Sequence, residues 1–195
     1  YAAAGSRIVN ANTFGASAHK LAGSAYTLEQ VITAGIENCK RACAPYGALT
    51  ALDVGPLGEL LEPSGTLAFE DAVAEYARIV KAGEAAGADL IFFETYTDLY
   101  ELKAALLAAK ENTRLPILAS MSFEAGGRTF TGCTVESFAA TARGLGADAV
   151  GINCSLGPKE IFPMAKRLAE AVPGNFPVFV KPNAGLPRAD GSGYD

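Results

Sequence analysis

Short apolar runs rich in β-branched residues alternate along the chain with longer, alanine-rich stretches of helical periodicity. The apolar runs predict six strands, at residues 7–14, 48–54, 89–95, 115–123, 149–155 and 176–182. The stretches between them predict five helices, at residues 28–44, 69–86, 99–110, 135–145 and 159–171. Strands that alternate with helices predict βαβ units and a parallel sheet. No linker interrupts this order, so we expect residues 1–195 to belong to one domain.

Local signals mark the ends of several elements. Thr27, with Gln30 three residues later, has the arrangement of a capping box, and Asp98 is the expected N-cap of the third helix. Gly-Ala-Asp occurs twice, at residues 87–89 and 146–148, each time before a predicted strand. This repetition predicts two equivalent turns. It suits both a doubly wound open sheet and a (β/α)8 barrel.

Polar residues at the ends of the predicted strands separate these two architectures. They are Asn12 and Thr13, Asp53, Glu94 and Thr95, Ser120 and Ser122, Asn153 and Cys154, and Asn183. In a barrel the carboxyl ends of all strands meet at one mouth, which is where active sites lie. Six consecutive polar strand ends therefore favour a (β/α)8 barrel, although six strands do not close an eight-stranded one.

Composition and charge exclude several classes of protein. Half of the 195 residues are hydrophobic and 19% are charged, which is enough apolar material for a sizeable core. The formal net charge of −5 speaks against a nucleic-acid partner. No apolar run is long enough to span a membrane and no secretory signal is visible, so we expect a cytoplasmic protein. Four scattered cysteines do not make a disulfide scaffold.

Cys154 is the strongest single candidate for chemistry. It ends a strand just before a helix that starts with proline, so a thiolate there can act as a nucleophile or as a soft metal ligand. A buried structural cysteine remains the alternative. Cys39 and Cys43, four residues apart on one helix, are interpreted as packing, and Cys133 as incidental. His19 is the only histidine in the chain, which excludes a histidine-based metal site.

Six motifs, in order, carry a resemblance to a known family. They are NTF at residues 12–14, DVGPLG at 53–58, FETYTDLYELKAA at 93–105, SMSFEAGGRTFTG at 120–132, GINCSLGP at 151–158 and KPNAGLP at 181–187. Together they closely resemble the homocysteine-binding module of cobalamin-dependent methionine synthases, within the homocysteine S-methyltransferase family. The resemblance extends over essentially the whole chain.

The resemblance implies a (β/α)8 barrel that binds zinc through three cysteine thiolates at the strand ends. The first of these ligands corresponds to Cys154. The other two form an adjacent pair in a GGCC motif on the last strand, and this sequence has no such motif. The family's opening DG(A/G)MGT strand is missing as well. The chain is therefore expected to be an internal fragment with strands two to seven, inactive alone, whose other two ligands lie beyond Asp195.

The resemblance also implies roles for the other strand-end residues. Glu94 is expected to bind the ammonium group of homocysteine, with a salt bridge or helix-dipole role as the alternative. Asp53, Thr13, Ser122, Asn153 and Asn183 are weaker candidates for binding the substrate or orienting the zinc site. Asp53 and Asn183 can equally satisfy nearby turns. Lys181 has no assigned role.

The implied reaction is methyl transfer from methylcobalamin to homocysteine, giving methionine. Zinc would supply homocysteine as a thiolate, and the cobalamin would be carried on a separate module. Folate- and cobalamin-binding modules are the expected partners. The alternatives are a betaine- or S-methylmethionine-dependent enzyme of the same family and a non-catalytic barrel without zinc.

Overall fold

Six strands and five helices alternate in the computed structural model, which describes residues 1–185. The strands are β1 (Ile8–Asn10), β2 (Leu49–Val54), β3 (Leu90–Tyr96), β4 (Ile117–Met121), β5 (Ala149–Asn153) and β6 (Val178–Lys181). The helices are α1 (Leu28–Cys43), α2 (Phe69–Ala85), α3 (Leu99–Asn112), α4 (Val135–Gly144) and α5 (Pro158–Glu170). The last two residues of the KPNAGLP motif, Leu186 and Pro187, lie outside the described residues.

The strands form one parallel sheet in the order β1-β2-β3-β4-β5-β6, so each strand pairs with the next along the chain. A doubly wound sheet reverses its order at a switch point, whereas sequential order is the arrangement of a barrel. The sheet is also strongly curled. Phe92 on β3 and Phe179 on β6 have ring centroids 5.3 Å apart, although strands three places apart in a flat sheet are separated by about 14 Å. The predicted incomplete barrel is confirmed.

Prolines explain where two strands are shorter than predicted. The fourth strand starts at Ile117 rather than at residue 115, and the sixth is confined to Val178–Lys181. Pro116, Pro177 and Pro182 flank these strands. Because proline has no backbone N–H to donate to a neighbouring strand, these positions limit the pairing.

The first strand is also shorter than predicted, since it ends at Asn10 instead of continuing to residue 14. The chain turns at this point. The Thr13 amide donates to the Ala11 carbonyl at 2.9 Å. The Thr13 hydroxyl donates to the Asp53 carbonyl at 2.8 Å. This side-chain bond takes the place of regular strand pairing beside β2.

The predicted local signals are confirmed. Thr27 and Gln30 form the capping box at the start of α1, and the Asp98 carboxylate accepts from the Tyr100 amide as the N-cap of α3. The two Gly-Ala-Asp turns have the same geometry. Asp89 accepts from the Thr50 amide at 2.7 Å and Asp148 from the Ile117 amide at 2.8 Å. Each aspartate thus ties its turn to the beginning of the neighbouring strand.

The apolar residues form two layers of very different size. The main core lies between the outer face of the sheet and the helices. A small separate cluster on the inner face contains Ala51, Leu90 and Phe92, packed against Leu118 and Phe179. The inner face is therefore only partly filled, and polar groups follow at the carboxyl ends of its strands. None of the helices in the described part of the chain combines the length and hydropathy of a membrane span.

Candidate functional site

Cys154 lies at the barrel mouth, directly after β5, and is half-buried. Its Sγ atom is 3.2 Å from Asn153 Nδ2, which donates to it, and 3.7 Å from Thr95 Oγ1. Its backbone amide donates to the Lys181 carbonyl at 3.0 Å. The thiol is therefore held against β3 on one side and against β6 on the other.

Among residues 1–185, three residues other than glycine have left-handed backbone angles, and two of them are Cys154 and Thr95. Their φ angles are 58° and 68°, and Ser155 has a φ of 59°. Residues other than glycine rarely adopt left-handed backbone angles, and those that do so concentrate at functional sites. The turn after β5 and the end of β3 are therefore held in a strained conformation next to the thiol.

The Asn153 side chain organises these groups. Its Oδ1 accepts from the Thr95 amide at 3.0 Å and from Ser120 Oγ at 2.8 Å. Its Nδ2 donates to Thr95 Oγ1 at 2.7 Å in addition to the Cys154 sulfur. Because the amide is 1% exposed and bonded at both ends, Asn153 orients the cysteine.

Thr13 and Ser122 are buried close to the same strand ends. The Thr13 hydroxyl bonds both the carbonyl and the amide of Asp53. The Ser122 hydroxyl donates to the Asn153 carbonyl at 2.8 Å. Both hydroxyls thus support the backbone that carries other candidates. Asn183 follows β6, where its amide donates to the Leu156 carbonyl at 3.0 Å.

Three charged residues, Asp53, Glu94 and Lys181, meet on the inner face of the sheet and line one cavity of about 610 Å³. We call them the Asp53–Glu94–Lys181 cluster. Lys181 Nζ is 2.5 Å from Glu94 Oε2 and 4.6 Å from the centroid of the Phe92 ring. The curl of the sheet makes this contact possible, because Glu94 and Lys181 lie on strands three places apart.

Asp53 is the most deeply buried member of the cluster, with 7% of its surface exposed. Its Oδ1 atom has no hydrogen-bond partner among the residues that the structure describes. Burial and the neighbouring Glu94 carboxylate raise the pKa of Asp53 to about 7, against smaller opposing effects of Asn10 and Lys181. The cavity therefore contains a buried carboxyl group with one unpartnered oxygen, whose negative charge Lys181 offsets only in part.

The other cysteines have different surroundings. Cys39 and Cys43 are buried on α1 with their sulfurs 3.9 Å apart. Burial raises the pKa of the Cys133 thiol to about 11, so it stays protonated. Within residues 1–185 no group of three or more His, Cys, Asp or Glu side chains can hold a metal ion. These residues supply one thiol at the mouth, whereas a zinc site requires three or four protein ligands.

Sequence reasoning missed two charged residues, one in the site and one buried on α3. Lys181 was unassigned, although its register opposite Asn153 on β5 places it at the same end of the sheet. Glu101 on α3 is buried, and its carboxylate accepts from the Leu57 amide at 2.7 Å and the Tyr76 hydroxyl at 2.9 Å. A charged residue in the apolar stripe of a helix was the signal that could have found it.

The family model for homocysteine S-methyltransferase matches residues 1–195, the whole chain. The chain belongs to the homocysteine S-methyltransferase family. Among its curated relatives, the methionine synthases of Mycobacterium tuberculosis (strain ATCC 25618 / H37Rv) and Mycobacterium leprae (strain TN) are 33% and 32% identical over 114 residues. The matched region is 56% of this chain, and it is 9% of the length of either methionine synthase.

Solved structures agree with this family at the level of the fold. The metallated form of the homocysteine methyltransferase MmuM from Escherichia coli has a TM-score of 0.82 and 22% identity. The match covers 94% of this chain and 69% of MmuM. The oxidized form of MmuM gives a TM-score of 0.83, also at 22% identity. This chain therefore shares the barrel fold of MmuM.

Proposed function

We propose that this chain is the homocysteine-binding part of a zinc-dependent methyltransferase that converts homocysteine to methionine. The observation that carries the proposal is the half-buried Cys154 thiol, held at the barrel mouth by Asn153 and Thr95. The backbone of Lys181 bonds Cys154, and its side chain bonds Glu94. Lys181 therefore connects the thiol to the cavity that Asp53 and Glu94 line.

Cys154 is proposed as one of three thiolate ligands to zinc, the other two being expected beyond Asp195. Zinc supplies a Lewis acid that keeps a coordinated substrate thiol deprotonated near neutral pH. The side chains of this chain orient the zinc ligand and bind the substrate. Asn153 directs the Cys154 sulfur, and the Glu94 and Asp53 carboxylates attract the substrate ammonium group. A charge-assisted hydrogen bond is the strong form of such a contact.

Methylcobalamin, carried on a separate module, is the proposed methyl donor. The similarity to two methionine synthases supports it. Folate- and cobalamin-binding modules of the same polypeptide or complex are then the partners. Betaine or S-methylmethionine as donor is the alternative within the family. A non-catalytic barrel without zinc is the alternative outside it, and the absence of a Cys-Cys pair after the last strand of the complete protein would favour it.

Replacement of Cys154 tests the proposal in the protein that carries this chain. We expect Cys154→Ala to remove most of the bound zinc, measured by elemental analysis, together with methyl transfer to homocysteine. The matched control is Cys133→Ala, because Cys133 is a protonated thiol bonded to the Thr134 carbonyl. Zinc content that is unchanged in Cys154→Ala would contradict the proposal. The chain alone, with one of three ligands, should bind zinc weakly and be inactive.

A further inference from the structure

We propose that Lys181 binds the α-carboxylate of homocysteine, and that the Asp53–Glu94–Lys181 cluster selects a zwitterionic α-amino acid over other thiols. This inference rests on the proposed function and adds the residue that recognises the acid group. It concerns binding specificity and leaves the chemistry at sulfur to Cys154.

The first observation behind this inference is the position of the Lys181 ammonium group. One carboxylate oxygen of Glu94 holds it at 2.5 Å, and the Phe92 ring lies beneath it at 4.6 Å. An ammonium group has three donors, and Glu94 takes one of them. The Lys181 side chain remains 48% exposed and lines the cavity. It is thus fixed in place and can still donate to a carboxylate that enters the cavity.

The second observation concerns Asp53, which lines the same cavity. Its Oδ1 is buried without a partner in the described part of the chain, which is costly for a carboxylate unless a cation pairs with it. Glu94 repels this charge, and Lys181, which bonds Glu94, offsets it only in part. A ligand that brings its own ammonium group supplies the rest of the counter-charge.

These two observations define the class of ligand, which must carry both a carboxylate and an ammonium group. The order of charges across the site becomes substrate carboxylate, Lys181, Glu94, substrate ammonium and Asp53, so that positive and negative groups alternate. An α-amino acid carries both required charges on neighbouring atoms. A thiol with only one of them leaves either Lys181 or Asp53 without its partner. A merely structural Lys181–Glu94 pair would not distinguish these thiols.

The test uses three thiols that differ only at the α-carbon: L-homocysteine, 3-aminopropanethiol without the carboxylate, and 4-mercaptobutanoate without the ammonium group. Dissociation constants are measured by calorimetry in the protein that carries this chain, for the wild type and for Lys181→Met. We expect Lys181→Met to weaken homocysteine and 4-mercaptobutanoate about 10- to 100-fold, as loss of one charge-assisted bond predicts. Binding of 3-aminopropanethiol should be unchanged or tighter, because Glu94 is then free for its ammonium group.

Two further variants complete the experiment. Lys181→Arg keeps the charge and should recover part of the preference for carboxylate ligands. Lys159→Met removes a lysine from the first turn of α5 and should change none of the three constants. If Lys181→Met weakens all three thiols equally, or none, the inference is overturned while the proposed function stands. If the wild type does not bind homocysteine, the proposed function itself fails, and this inference with it.

Discussion

Asp53 shows how the burial of a single carboxyl group can oppose folding. Its pKa is about 7 in the folded chain against an ordinary value of 3.8. The folded state therefore holds the proton more tightly than the unfolded state does. Protonated Asp53 contributes stability below about pH 4, and this contribution is lost as the pH rises through 7. Above that pH, the ionised carboxylate faces burial and Glu94, with Lys181 giving partial relief.

The variant Asp53→Asn removes this penalty and should therefore stabilise the folded chain above pH 7. A pKa shift of this size corresponds to at most ~4 kcal/mol, and the gain should shrink towards pH 4. Urea unfolding at pH 8 and pH 5 measures it. Asp71→Asn, on the exposed side of α2, removes the same charge from the surface and is the control. Equal gains at both pH values would show that Asp53 does not titrate as described.

At the residue scale, sequence reasoning finds which side chains reach the mouth but not what they bond. The polar strand ends Asp53, Glu94 and Cys154 do lie at one end of the sheet, as the barrel pattern requires. The contact between Lys181 and Glu94 depends on how strongly the sheet curls, and no local pattern encodes that. The Thr13 hydroxyl bonds the backbone of Asp53 because the chain turns there, which strand periodicity does not reveal.

At the scale of the elements, the two Gly-Ala-Asp turns lie at the end of the sheet opposite the mouth. Their glycines, Gly87 and Gly146, have φ angles of 85° and 86°, a backbone conformation that residues with a side chain disfavour. Each turn then uses its aspartate to bond the first residues of a neighbouring strand. This repeat was readable from the sequence because both the turn and its bond are local to one βαβ unit.

Asp148→Ala should destabilise the chain by about 1–3 kcal/mol, because the Ile117 amide loses a hydrogen bond to a charged acceptor. Homocysteine binding should not change in the folded protein, since Asp148 precedes β5 whereas Cys154 follows it. Urea unfolding and calorimetric titration measure the two effects. Asp148→Asn keeps an acceptor oxygen and should lose less stability. A loss of binding without a loss of stability would contradict this division between the two ends of the sheet.

At the scale of the whole molecule, the alternation of strands and helices predicts a parallel sheet but leaves the strand order open. The polar strand ends favour the barrel, and the sequential order of the sheet confirms it. The unequal layers are not evident in the sequence, because strands buried on both faces read as continuous apolar runs. Phe92 and Phe93 are neighbours in such a run, yet they belong to different clusters.

Variants of these two phenylalanines allow the stability of the chain and its binding of substrate to be tested separately within one strand. Phe93 is fully buried beside Tyr76 and Tyr96 in the main core, so Phe93→Ala should cost about 3–5 kcal/mol in urea unfolding. Phe92 borders the inner cavity and supports Lys181. Because Phe92 packs in the small inner cluster beside the cavity and not in the main core, Phe92→Ala should cost clearly less stability. It should nevertheless weaken homocysteine binding, measured by calorimetry, since the Lys181 ammonium loses the ring beneath it. An equal loss of stability in both variants would mean that the inner face contributes to the core as much as the outer face does.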